Sequence, residues 1–156
     1  MVYIDRYKVV LQRDGGCPVE LPEQITTPAD IAKGIRTVCR PDESPVMLVL
    51  LLMFDVKNRP IGLLELARGS LDAAYVDLRA VFQPLLLANA ASFAIGIYHP
   101  SGDALPSSAD RSLVGKLLGA SKLMGIRMLD AIILGDADGF YSFRLHDASE
   151  GFFREE

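Results

Sequence analysis

The residues best suited to chemistry lie in and shortly before one stretch of the chain, GIYHPSGDALPSSAD. This stretch contains His99, Ser107 and Asp110, and Glu65 precedes it on the otherwise apolar run IGLLELA. An imidazole and a carboxylate are zinc ligands, a second carboxylate can act as a general base, and a hydroxyl can donate to developing negative charge. The residue types and spacing therefore predict a zinc hydrolase site, or what remains of one.

Each of these residues also has a purely structural interpretation. Ser107 and Asp110 have the spacing of a helix capping box, which alone would explain both. His99 at a strand end could be a hydrogen-bonded structural histidine, and Glu65 could face solvent. Spacing alone leaves these alternatives open.

The elements that must position these residues can be predicted from the apolar pattern. SFAIGIYH predicts a strand that ends at His99, PSGDALP predicts a loop, and Ser107 or Ser108 caps a helix that runs to about Leu123. The apolar run at residues 46–54, VMLVLLLMF, predicts a strand buried on both faces. A turn at DVKNRP joins it to IGLLELA as a hairpin.

The rest of the chain alternates between strand and helix patterns. YKVVLQ, RMLDAIILG and FYSFRL predict strands, whereas the tail HDASEGFFREE predicts a loop. ITTPADIAKGIRTV predicts a helix capped by Thr27, and YVDLRAVFQPLLLANA predicts a helix interrupted by Pro84. We therefore expect an α/β fold, a mixed sheet with helices on both faces.

Composition narrows the classes of partner. The 156 residues suit one domain, and 16 Lys and Arg against 20 Asp and Glu give a net charge of −4, which argues against binding of duplex DNA. Cys17 and Cys39 form no C-x-x-C motif, so we expect free thiols and a cytoplasmic protein. We expect no signal peptide and no contact with a membrane, because no apolar run is long enough to cross one.

The ordered motifs resemble those of a known family. His-x-His-Pro, six residues, Ser, two residues and Asp, with an upstream Glu, is the motif of the JAMM/MPN zinc metallopeptidases. IYHPSGDALPSSAD is similar to the H-N-H-P-S-G-D-x-x-P-S-x-x-D of its RadC branch. FDVKNRP, ELARGSL, NAA, LDAIILG and FYSF also resemble RadC motifs, in unbroken order from about residue 25 to residue 143.

This resemblance implies a fold and a set of roles. The fold would be the three-layer JAMM/MPN fold, a curved mixed sheet related to that of cytidine deaminases, over residues 25–156, with residues 1–24 as a strand and loop extension. Glu65 would be the general base and Ser107 the oxyanion donor. His99 and Asp110 would be metal ligands. Longer RadC proteins carry a helix-hairpin-helix segment that this sequence lacks.

Two departures from the family pattern change the functional prediction. Ile97 stands where the family has its first histidine, and Ala131 replaces the histidine of LDHIIIG. Because Ile97 leaves two protein ligands, we expect no bound cofactor, or zinc only if the site still works, and we expect His146 not to replace the missing ligand. The predicted function is a non-catalytic structural or protein-binding role, with a homodimer as one form of partner. The alternatives are a zinc-dependent amide or isopeptide hydrolase, and a role in DNA repair as in the family's traditional label.

Overall fold

The structure is a computed structural model that describes residues 1–69, 75–147 and 153. Five strands form one mixed sheet, four α-helices surround it, and a short 3-10 turn covers Pro41–Glu43. The helices are α1 (Pro28–Cys39), α2 (Leu78–Leu87), α3 (Ser108–Met124) and α4 (Phe143–His146), and the strands are β1 (Leu48–Phe54), β2 (Pro60–Arg68), β3 (Ser92–Tyr98), β4 (Arg127–Leu134) and β5 (Phe140–Ser142).

The strand order across the sheet is β2-β1-β3-β4-β5. The β3–β4 pair is parallel and α3 provides its crossover, whereas the other neighbouring pairs are antiparallel. A parallel pair needs such a long connection, while β1 and β2 are joined by the short turn at residues 55–59. β2 and β5 are therefore the two edges of the sheet.

Every residue of β1 and β3 is buried because helices cover both faces of the sheet. On one side, which we name the α1 face, Leu50 and Ala94 pack with Ile35 of α1. On the other side, which we name the α3 face, side chains of α2 and α3 pack against the sheet, among them Leu85 and Leu117. The result is a three-layer α/β arrangement.

Helix α1 is held close to the sheet and to a distant turn. The Thr27 side chain caps it by accepting a hydrogen bond from the Asp30 amide at 3.2 Å. Gly96 of β3 permits the close approach, since a Cβ there would lie only 2.7 Å from Ile35 Cδ1. Near its other end, the Arg36 guanidinium donates to the carbonyl oxygens of residues 135 and 139 at 3.0 and 2.9 Å.

The predicted fold class is confirmed, with differences at the two ends of the chain. The buried strand, the hairpin and the helices capped by Thr27 and Ser107 form as expected. The predicted strand YKVVLQ is wrong, because residues 1–24 contain no helix or strand. In FYSFRL only Phe140–Ser142 is strand and α4 follows at once, while most of the predicted tail loop lies outside the described residues. Within the described part of the chain, no helix has the length and apolarity to cross a bilayer.

Candidate functional site

His99 follows β3 and is held by the loop after it. Its Nδ1 lies 2.9 Å from the Asp103 carbonyl oxygen, so Nδ1 carries the proton and Nε2 points away from that bond. The loop turns tightly because the Gly102 amide donates to the His99 carbonyl at 3.0 Å, with Gly102 at a φ of 86°. A side chain at Gly102 would collide with the Asp136 carboxylate. The turn therefore fixes the orientation of the imidazole.

Ser107 and Asp110 form the start of α3. The Ser107 hydroxyl accepts from the Asp110 amide at 3.1 Å, and Asp110 Oδ2 accepts from the Ser107 amide at 2.8 Å. This reciprocal capping box satisfies amides that have no partner within the helix. It also places a buried carboxylate directly opposite His99.

The ends of these two side chains meet. His99 Nε2 lies 3.0 Å from Asp110 Oδ2, and the two side chains are only 10% and 6% exposed. The carboxylate lies off the ring N–H direction, so the contact is an ion pair and not a linear hydrogen bond. Asp110 raises the pKa of His99 above its usual value. Burial alone would raise the pKa of Asp110, but the contacts with His99 and the Ser107 amide outweigh it and lower that pKa.

Glu65 does not join this cluster. It lies opposite Leu50, whose side chain is on the α1 face, whereas His99 follows Ile97 at the two-residue spacing of the α3 face. The exposed Glu65 carboxylate instead accepts two hydrogen bonds from Arg68, at 2.8 and 3.0 Å. The expectation that all four predicted site residues converge is therefore wrong for Glu65.

A one-residue bulge in β2 accounts for this difference. Ala67 pairs with Val49 but Glu65 pairs with Leu50, so Leu66 is an extra residue between them. If the pairing continued from Ala67 without a bulge, Glu65 would lie opposite Leu51 and share the α3 face with Ala67 and His99. An extra residue in a strand of alternating side chains turns all that follows to the other face.

Ile97 is part of the hydrophobic core at the position of the missing histidine. It pairs with Val49 on one side and Ile133 on the other and is 1% exposed. Ala131, the second departure, is fully buried on the same α3 face. Hydrocarbon therefore replaces imidazole at both positions.

A cleft of about 600 Å³ opens beside the His99–Asp110 pair on the α3 face. Apolar side chains contribute much of its lining, among them Met47, Val49, Ile97 and Leu113. Two basic residues also line it, Arg79 and Lys116, together with Asp77, Ser107, Asp110 and Ser112. Sequence reasoning missed both basic residues, since neither belongs to a motif. It also missed the carbonyl of Asp103, although the turn residues PSGD after His99 were a signal for it.

His146 makes other contacts. Its Nδ1 lies 2.8 Å from the Ser142 carbonyl oxygen, and its ring stacks on Tyr141 with centroids 4.3 Å apart. The neighbouring Asp147 is buried and accepts bonds from Arg111 and Tyr141, which ties the end of α4 to α3. Across residues 1–69, 75–147 and 153, no group of three or more His, Cys, Asp or Glu side chains is arranged to hold a metal ion.

A five-stranded mixed sheet between helices is consistent with the fold of JAB-type domains. Comparison with protein families identifies the branch. The family model described as RadC-like JAB domain matches residues 25–149, so the chain belongs to the RadC-like JAB domain family.

Curated relatives agree with this family. A UPF0758 protein from Xanthomonas campestris pv. campestris is 36% identical over 118 residues, which is 76% of this chain and 52% of the relative. One from Trichlorobacter lovleyi is 35% identical over 125 residues, 80% of this chain and 53% of the relative. One from Rubrobacter xylanophilus is 33% identical over 140 residues, 89% of this chain and 57% of the relative. The chain thus spans about half the length of these relatives.

Proposed function

We propose that this RadC-like JAB domain acts through protein binding and has lost zinc-dependent hydrolysis. The observation that carries the proposal is Ile97, a core side chain at the position where the family motif has a ligand. Catalytic zinc sites use three protein ligands and an exchangeable water. In the described residues, His99 Nε2 and Asp110 Oδ2 meet, but no third His, Cys, Asp or Glu side chain joins them in an arrangement that could hold a metal ion. The residues present therefore do not fit a catalytic zinc ion.

The remaining parts of the proposed machinery also favour a non-catalytic role. A general base must come within hydrogen-bond reach of the proton that it removes. Glu65 is on the opposite face of the sheet and is bonded to Arg68. The Ser107 hydroxyl accepts a hydrogen bond from the Asp110 amide and serves as a helix cap. Each retained motif residue thus has a structural partner that explains its presence.

A zinc hydrolase is the second candidate, and one feature favours it. The bond from His99 Nδ1 to the Asp103 carbonyl is the arrangement that orients a metal-binding histidine, and it leaves Nε2 facing Asp110. In this alternative, water or a residue of another chain would supply the third ligand. A DNA-repair role has only the family label in its favour, because the net charge is −4.

We also propose a cytoplasmic location. Both cysteines of the chain, Cys17 and Cys39, are free. Burial raises the pKa of Cys39 to about 11, so its thiol stays protonated and unreactive at neutral pH. Free thiols are typical of a reducing compartment.

Zinc content separates the two candidate functions. We expect the wild-type chain, purified without chelator, to hold far less than one zinc per chain by elemental analysis. Ile97→His should bind zinc, whereas the matched control Ile95→His should not, since Ile95 is equally buried on the same strand and face but pairs with Ala131. Zinc at about 100 times its Kd should stabilise Ile97→His by about 2.7 kcal/mol in denaturant unfolding.

Zinc bound by the wild-type chain would contradict the proposal. If it carries one zinc that a chelator removes, together with loss of amide-bond cleavage, the proposal of a non-catalytic domain is wrong. The enzyme candidate would then replace it.

A further inference from the structure

Residues 1–11, which we name the arm, expose an unusual amount of apolar side chain. Eight of the eleven residues are large and apolar, and each is between 50% and 126% exposed: Met1, Val2, Tyr3, Ile4, Tyr7, Val9, Val10 and Leu11. The arm contains neither helix nor strand, although its β-branched and aromatic residues favour a strand. An apolar segment of this size marks an interaction site.

The body of the domain holds the chain just after the arm. Cys17 Sγ lies 3.8 Å from the Thr37 carbonyl oxygen, and Lys33 Nζ donates to the Glu20 carbonyl at 2.6 Å, so residues 17–20 lie against α1. A side-chain hydrogen bond within the arm is local and long, from the Tyr7 hydroxyl to the Asp5 carboxylate at 3.5 Å. Its large apolar side chains are exposed within the single chain.

The edge strand β2 offers a surface that matches the arm. Within the described residues, no strand pairs with its outer side, and nine residues of open edge are a template for another strand. On the α3 face of this strand, Leu64 and Leu66 pack against the core but remain half-buried. On the α1 face, Glu65 is the acidic residue of β2 and is exposed.

The two faces of the arm complement those of β2. In an extended chain Tyr3, Tyr7, Val9 and Leu11 share one face, on which Asp5 is the one charged residue. Arg6 and Lys8 lie on the other face, among Val2, Ile4 and Val10. The apolar face would cover the half-buried leucines and extend the core. Arg6 and Lys8 would then lie on the side of the Glu65 carboxylate, which also accepts hydrogen bonds from Arg68.

From this match we infer that the arm of one copy adds as a sixth strand to the β2 edge of a second copy, in a symmetric exchange. Two exchanged arms close a dimer because each edge receives one arm. Burying the four side chains of one face removes roughly 500 Å² per arm, and with the covered surfaces the total reaches about 2,000 Å², as in a stable interface. The inference goes beyond the proposed function and does not depend on zinc.

The test uses the full chain and measures its mass by sedimentation at concentrations from 1 to 100 µM, which we choose on the order of typical dimer affinities. The wild-type chain should be a dimer. Lys8→Pro should raise the dimer Kd by at least about tenfold, since proline removes an amide from the ladder in both arms. The matched control Asp14→Pro, placed outside the arm, should leave the Kd unchanged. Both sites are exposed, so neither change should unfold the domain.

A second measurement identifies the edge that receives the arm. A labelled synthetic peptide of residues 2–11 should bind the Lys8→Pro chain and protect the amides of β2 from hydrogen exchange. A dimer with the same Kd in Lys8→Pro would overturn the inference, and so would a peptide that protects other strands. A monomer whose arm amides are protected would place the arm on its own sheet and would also overturn it.

Discussion

The buried pair of His99 and Asp110 should make the stability of the domain depend on pH in a defined direction. Because the pKa of His99 is raised, its contribution to stability is complete below the unfolded value of about 6.5 and is lost as pH rises through the folded pKa. Because the pKa of Asp110 is lowered, its contribution is complete above about 3.9 and is lost as pH falls through the folded pKa. The pair therefore stabilises the fold most between these two values.

Asp110→Asn removes the charge and leaves a side-chain oxygen that can still accept the hydrogen bond from the Ser107 amide. Removing one partner of a buried ion pair costs about 3–5 kcal/mol, and the retained helix cap favours the lower end, so we expect a loss of about 3 kcal/mol at pH 6. Above the folded pKa of His99, a neutral ring with its proton on Nδ1 turns the Nε2 lone pair toward the carboxylate. The wild-type pair then has no opposite charges to lose, so the loss should be much smaller at pH 9 than at pH 6.

Urea unfolding of both chains at pH 6 and pH 9 measures the two losses. Asp138→Asn, a charge removal at an exposed turn, is the matched control and should change stability by less than about 0.5 kcal/mol at either pH. An equal loss for Asp110→Asn at pH 6 and pH 9 would refute the charged pair. It would show that the carboxylate acts only as a helix cap.

Two further substitutions test the core and the turn that holds the site. Leu50→Asp should lower the free energy of unfolding by about 4 kcal/mol or more, or abolish soluble expression, because Leu50 is fully buried. The exposed Val56→Asp is its control. A normal melting temperature for Leu50→Asp would contradict a strand buried on both faces. Gly102→Ala should cost about 2 kcal/mol or more in thermal unfolding, since φ is positive and the methyl group meets Asp136. Gly119→Ala, on α3 with open space around it, should instead stabilise slightly, and equal effects of the two changes would be inconsistent with this turn geometry.

The sequence was a good guide wherever one local pattern decides the structure. The uninterrupted apolar run of β1 can only be satisfied by cover on both faces, and the spacing of Ser107 and Asp110 specifies a capping box. The same spacing brought the aspartate to His99, because α3 begins shortly after the strand end.

Glu65 shows why the rest could not be predicted. Alternation along IGLLELA assigns a face only if pairing with β1 is continuous, and the extra residue Leu66 interrupts it. A bulge depends on tertiary packing and leaves no mark in residue types. The strand prediction for the arm was wrong for a related reason. Its residues favour a strand, but a strand needs a neighbour, and no strand of the described residues pairs with the arm.

The contacts of Arg36 affect when α1 can be fixed in place during synthesis of the chain. The carbonyl oxygens that bind its guanidinium belong to residues 135 and 139, about a hundred positions later in the chain. An isolated helix of twelve residues is marginal in water. While the chain is synthesised, α1 leaves the ribosome before the strands, yet its final contacts form only after the β4–β5 turn has emerged. The earliest of the four described helices is thus among the last to gain all its contacts.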